Sequence, residues 1–132
     1  MSSAPRNTLP RSVRVRSKAD FDRIFKDGPR ASDGLVTLLA GTNDMGAARL
    51  GISVSRRFGN AVQRNRIKRL IREAFRTMRH QLPAGIDWVV IPRAGRRPDV
   101  DELKRSIGEL SARLAKRFVR RPPSSKGPDS QS

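Results

Sequence analysis

A chain of 132 residues with 29 Lys and Arg against 12 Asp and Glu carries a net charge of +17, and it has no Cys and one His, His80. A compact body with that charge repels itself, so the composition points to a polyanionic partner, and the abundant Arg can grip phosphate with two N–H groups or stack on a base. The missing Cys excludes disulfides, thiolate metal sites and Cys nucleophiles and fits a reducing, cytoplasmic compartment, while a single His excludes multi-His metal sites. No apolar run approaches the ~18 residues of a membrane span, and the polar, proline-bearing first residues lack the apolar stretch of a signal peptide.

The length suits one folded domain between two tails. Residues 1–12 read as a basic disordered tail and 119–132 as a Pro/Ser-rich disordered tail, since neither has enough apolar groups to offset the entropy of ordering. The folded part is expected over 13–118.

Within it, Ser17 with Asp20 three residues on reads as a capping box, Phe21, Ile24 and Phe25 follow at helical spacing, and Gly28-Pro29 stops the helix. Residues 35–40 are an apolar run of strand length, followed by a turn over 41–46. Leu50, Ile52 and Val54 then alternate with Gly51, Ser53 and Ser55, a strand with one apolar face and one face of very small side chains. Small residues let a ligand approach the sheet closely, but they equally suit tight packing.

Asn60 with Gln63 forms a second capping box, and Pro83 bounds the helix that follows. Ile67, Leu70, Ile71, Ala74, Phe75 and Met78 make one apolar stripe at ~100° per residue. Asn65, Lys68, Arg69, Arg72, Arg76 and Arg79 occupy the opposite face, with Arg64 and Arg66 near its borders. Residues 86–91, IDWVVI, form a nearly continuous apolar run that suits a central strand covered on both faces, with Trp88 in the core. Asp99 and Glu102 make a third capping box, and Leu103, Ile107, Leu110 and Leu114 define a last amphipathic helix. The order is helix, two or three strands, long helix, strand, helix. That predicts an α+β sandwich, one sheet packed with helices.

Residues 49–79 carry Arg49, Arg56, Arg57, Arg64, Arg66, Lys68, Arg69, Arg72, Arg76 and Arg79 against one acid, Glu73. A merely solvated helix face mixes signs, because like charges four apart repel. Stacked cations at 68, 72 and 76 fit a phosphate-binding face better. Asp20, Asp22, Asp87, Asp99 and Asp101 fall at helix starts and strand ends, where capping accounts for them. With no triad, Gly-rich phosphate loop or metal cluster, no catalytic side chain and no metal ligand is expected on this chain.

The stretch SRRFGNAVQRNRIKRLIREAFR over 55–76 closely resembles the signature of the bacterial ribonuclease P protein family, an A-x-x-R-N-R-x-K-R-x-x-R pattern met here by Ala61, Arg64, Asn65, Arg66, Lys68, Arg69 and Arg72. Weaker resemblance covers K-x-x-D-F-x-x-I-F from Lys18, R-L-G-I-S-V-S-R-R from Arg49 and D-W-V-V-I-P-R from Asp87. The resemblance implies an αβββαβα sandwich with one mixed sheet and a left-handed strand–helix–strand crossover, against the usual preference.

It also implies a protein subunit of ribonuclease P, an endoribonuclease whose hydrolysis is carried out by an RNA subunit in the presence of Mg2+. The partners would be that catalytic RNA, held by Arg56, Arg57, Asn60, Arg64, Asn65, Arg66, Lys68, Arg69, Arg72 and Arg76, and precursor tRNA. The 5′ leader of the precursor would lie in a cleft between the first helix and the sheet, with Phe21, Phe25 and Ser53 as candidate contacts. Phe21 and Phe25 can stack on unpaired bases or simply pack in the core. Asn65 can bond a base edge or 2′-hydroxyl, or organise its Arg neighbours. The strand over 35–40 lacks the aromatic residue many family members carry, so no stacking residue is assigned there. His80 is expected at the surface. Neither a small-molecule substrate nor a membrane is expected. The rival readings are a ribosomal or general RNA-binding protein and a membrane-surface helix, the latter requiring the Ile67/Leu70/Ile71 stripe to be exposed.

Overall fold

Each amphipathic segment finds a partner for its apolar face in a layered α+β sandwich. The computed structural model describes residues 13–15, 17–43 and 46–119. Its elements run α1 (Lys18–Asp27), β1 (Arg30–Ser32), β2 (Val36–Thr42), β3 (Arg49–Ile52), α2 (Ala61–Met78), β4 (Ile86–Pro92) and α3 (Val100–Val119). This is the expected αβββαβα order. The N-terminal tail and residues 120–132 lie outside the described residues.

The four strands form one mixed sheet in the order β1-β2-β4-β3. β1–β2 and β2–β4 are antiparallel, and β3 runs parallel to β4 with α2 as the crossover between them. β1 was not separable from the turn after Gly28-Pro29: three residues, mostly exposed, carry no periodic signal. β3 stops at Ile52, short of the alternation that runs to Ser55, although the Ser53 N–H still donates to Val90 O at 3.0 Å.

Alternation sorts the sheet into two faces. Leu38, Ala40, Leu50, Trp88 and Val90 join Ile67, Ile71, Phe75, Leu103, Ile107 and Leu110 in the main core between sheet and α2/α3. Burying each of the larger side chains contributes roughly 1.5–3 kcal/mol, and the α2 stripe is consumed by that core. A membrane-surface role for it is thereby removed. On the other face, Ile24, Leu39 and Val89 form a small cluster beneath α1, with Phe21, Phe25 and Ile91 half-buried around it. β4 is therefore covered on both sides, as its sequence predicts.

The helix ends follow their capping chemistry. Asn60 Oδ1 accepts from the Gln63 N–H at 2.9 Å and the Gln63 side chain accepts from the Asn60 N–H at 2.9 Å. Asp99 and Glu102 repeat the reciprocal pair at 2.8 and 3.0 Å. At α1 only half of the box forms. Ser17 Oγ accepts from the Asp20 N–H at 2.9 Å, but the Asp20 carboxylate turns to Arg23 and Arg49 instead.

Candidate nucleic-acid interface

Asp87 explains that diversion. It is fully buried and accepts 2.7 Å bonds from Arg49 Nε, Arg49 Nη2 and Asn43 Nδ2. Arg49 also reaches Asp20 on α1 at 3.2 Å, and from α1 Arg23 reaches Asp87 at 3.5 Å and donates to Thr42 O at 3.0 Å, so the cluster fastens α1 to the sheet. Burial pushes the Asp20 carboxyl up, yet its bonds with Arg23, Arg49 and Ser17 together hold it below its ordinary 3.8. Two sequence readings change here. Asp87 is an internal ion-pair centre and not a strand-end cap, and Arg49 is satisfied within the fold and does not belong to the outward cationic run.

α1 is thereby held so that Phe21 and Phe25 lie side by side, ring centroids 6.2 Å apart, across the sheet. Gly51 supplies the room: a Cβ there would stand 2.9 Å from two Phe21 ring atoms. The small-residue face of β3 thus divides by position. Gly51 is buried packing under Phe21, while Ser53, two residues on, is half-buried beside Ile91, at the end of a register row that continues through Thr37 to Ser32. That last row, with the exposed edges of the two Phe rings, makes a shallow floor alongside α1. Phe21 and Phe25 are half-buried, each packed against the Ile24–Leu39–Val89 cluster with part of its ring open to solvent.

The opposite face of α2 is cationic as predicted. Arg56, Arg57, Asn60, Asn65, Arg66 and Arg69 are exposed, and Arg64, Lys68, Arg72 and Arg76 half-buried. Three members are partly engaged within the fold. Asn60 holds the cap, Arg64 Nη1 donates to Gly59 O at 2.7 Å, and Arg76 pairs with Glu73 through bonds of 3.2 and 2.8 Å. The repulsion read along 68, 72 and 76 is therefore relieved at its last member. At Arg72 burial first, then repulsion from Arg14 and Arg69, lowers the guanidinium pKa.

Arg72 and Lys68 line a cavity of about 290 Å³ with Arg14, Val15, Phe21, Gly51 and Ile52. This groove joins the cationic helix to the α1 floor around the β3 edge. Arg14 is the residue that sequence reasoning passed over. Its segment bridges to β3, with the Val15 N–H donating to Leu50 O at 2.8 Å. The V-R-V alternation at 13–15 was the available signal. Trp88 is fully buried and His80 exposed, both as expected.

Among the described residues, no helix is long and apolar enough to cross a membrane, and no three His, Asp or Glu side chains gather as a metal site.

Comparison with known proteins gives this arrangement a family. The ribonuclease P family model matches residues 9–115. The ribonuclease P protein component of Chlamydia caviae is 38% identical over 117 residues, covering 84% of each chain, and that of Syntrophus aciditrophicus 41% identical over 86 residues, covering 65% of this chain and 72% of the relative. The solved structure of the ribonuclease P protein from Thermotoga maritima superposes with a TM-score of 0.70 at 38% identity, covering 76% of this chain and 96% of that one. With its RNR helix facing outward and its sheet matched to such a structure, the chain belongs to the ribonuclease P protein family, the protein component of an endoribonuclease holoenzyme that processes tRNA.

Proposed function

We propose that this subunit binds two RNAs on two surfaces. The exposed face of α2, with Arg56, Arg57, Asn60, Arg64, Asn65, Arg66, Lys68, Arg69, Arg72 and Arg76, takes phosphates of the ribonuclease P RNA. The floor beside α1, with Phe21, Phe25 and Ser53, takes the single-stranded 5′ leader of precursor tRNA, where each stacked base contributes ~1–3 kcal/mol. The observation that carries the reading is the two-sidedness of α2. Ile67, Ile71 and Phe75 are locked in the core, so Arg66, Lys68 and Arg69 are held outward on a rigid element.

No side chain here is proposed as catalytic. Hydrolysis of the phosphodiester belongs to the RNA subunit with the Mg2+ it binds, and the residues of this chain position RNA and neutralise its charge. The work is done in the cytoplasm. No observation favours a ribosomal or general RNA-binding role.

The test is reconstitution with a bacterial ribonuclease P RNA at low magnesium. Cleavage of precursor tRNA is expected to be faster with the protein than without it. An unchanged rate would end the assignment of this surface to ribonuclease P.

A further inference from the structure

A second concavity lies on the other side of the sheet from Phe21 and Phe25, between the first turns of α2 and the β4–α3 turn. Its walls are mostly apolar: Phe58 and Ile67, 4% and 3% exposed, with Pro98 and the half-buried Leu70, and Gln63 as the polar member. Its rim is cationic, formed by Arg66 and Arg97, both exposed. The Arg97 guanidinium already lies over the Phe58 ring, 5.4 Å from its centroid. Among the described residues no carboxylate pairs with Arg66 or Arg97.

The volume, about 160 Å³, is below the ~300–1,000 Å³ of pockets that hold whole small molecules. It suits one planar ring. Apolar walls beneath a guanidinium plane match the way proteins take an unstacked RNA base, and two uncompensated cations at the rim match its flanking phosphates. Gln63, Arg66, Ile67 and Leu70 of α2 line the pocket, so it is continuous with the cationic helix and lies away from the α1 floor.

We infer that this pocket receives a single unstacked base of the catalytic RNA, sandwiched against the Arg97 guanidinium, with Arg66 on an adjoining phosphate. The inference rests on the functional reading above and adds a stacked base to a surface read mainly as binding phosphates.

Two experiments test it on the full chain. In the first, methyl NMR of Ile67 and Leu70 follows titration with a short oligoadenylate and with an abasic ribose-phosphate oligomer of the same length. Ring-current shifts are expected with the base-bearing oligomer alone. Equal shifts with both, or none with either, overturn the base contact. In the second, affinity for ribonuclease P RNA is measured for Arg97→Ala and Arg97→Lys. Arg97 is exposed, but its guanidinium covers Phe58, so a melting curve for each variant accompanies its affinity. Both are expected to weaken binding by about tenfold, the order expected of one lost stack, because Lys keeps the charge but not the plane. Wild-type affinity in Arg97→Lys overturns the inference while the functional reading stands. A wild-type chain that does not bind this RNA at all overturns the functional reading and the pocket with it.

Discussion

Asp87→Ala is expected to loosen α1 from the sheet and to weaken leader binding without touching any proposed RNA contact. Asp87 is fully buried and accepts two 2.7 Å bonds from Arg49, itself only 13% exposed, and one from Asn43. Removing one partner of a buried pair typically costs ~3–5 kcal/mol, because the other charge is left without compensation. Arg49 retains Asp20 at 3.2 Å, which places the expected loss at the lower end, about 3 kcal/mol. At about 4 °C per kcal/mol for a domain of this size, the melting temperature followed by circular dichroism falls by about 12 °C. Asp87→Leu combined with Arg49→Met leaves no stranded charge and recovers most of that loss. A drop of less than about 4 °C in the single variant would refute the claim that this cluster fastens α1. So would a double variant that melts no higher than the single one.

Arg66→Ala with Arg69→Ala is expected to weaken binding to ribonuclease P RNA and to flatten the salt dependence by about 0.7–0.9 per lost phosphate contact; an unchanged slope means this face points away from RNA. Phe21→Ala should lower affinity for leader-bearing precursor more than for mature tRNA, and equal losses would leave only its packing on Gly51. Asp20 gives a pH signature. Its carboxyl sits below the ordinary 3.8 in the fold, so its contribution to stability is complete above about pH 4 and disappears as pH falls through the depressed value. Asp20→Asn should therefore flatten the acid limb of an unfolding-midpoint-versus-pH curve, and a limb of unchanged steepness would show that other carboxylates set it.

Much of the site was legible because one helix carries it. The 3.6-residue period of α2 separates Ile67, Ile71 and Phe75 from Lys68, Arg69 and Arg72 without knowledge of any neighbour, and the Asn60–Gln63 cap is a local bond. Pairing between elements distant in sequence was not legible. Asp87 and Arg49 look like a strand-end acid and one more member of a basic run until parallel pairing of β3 and β4 sets them side by side. The Glu73–Arg76 pair was visible in the spacing, yet the line of cations hid it.

By itself, then, the sequence determined the three helices and the three longer strands, which side of each is apolar, and that α2 turns a cationic face outward, since these follow from local period and charge. Only the tertiary structure decided that Gly51 is packing while Ser53 is floor, that Arg14 joins Lys68 and Arg72 around one groove, and that Arg97 caps Phe58 at the other end of the helix. Those depend on strand register and on contacts across 30 to 60 residues of chain, which no local pattern encodes.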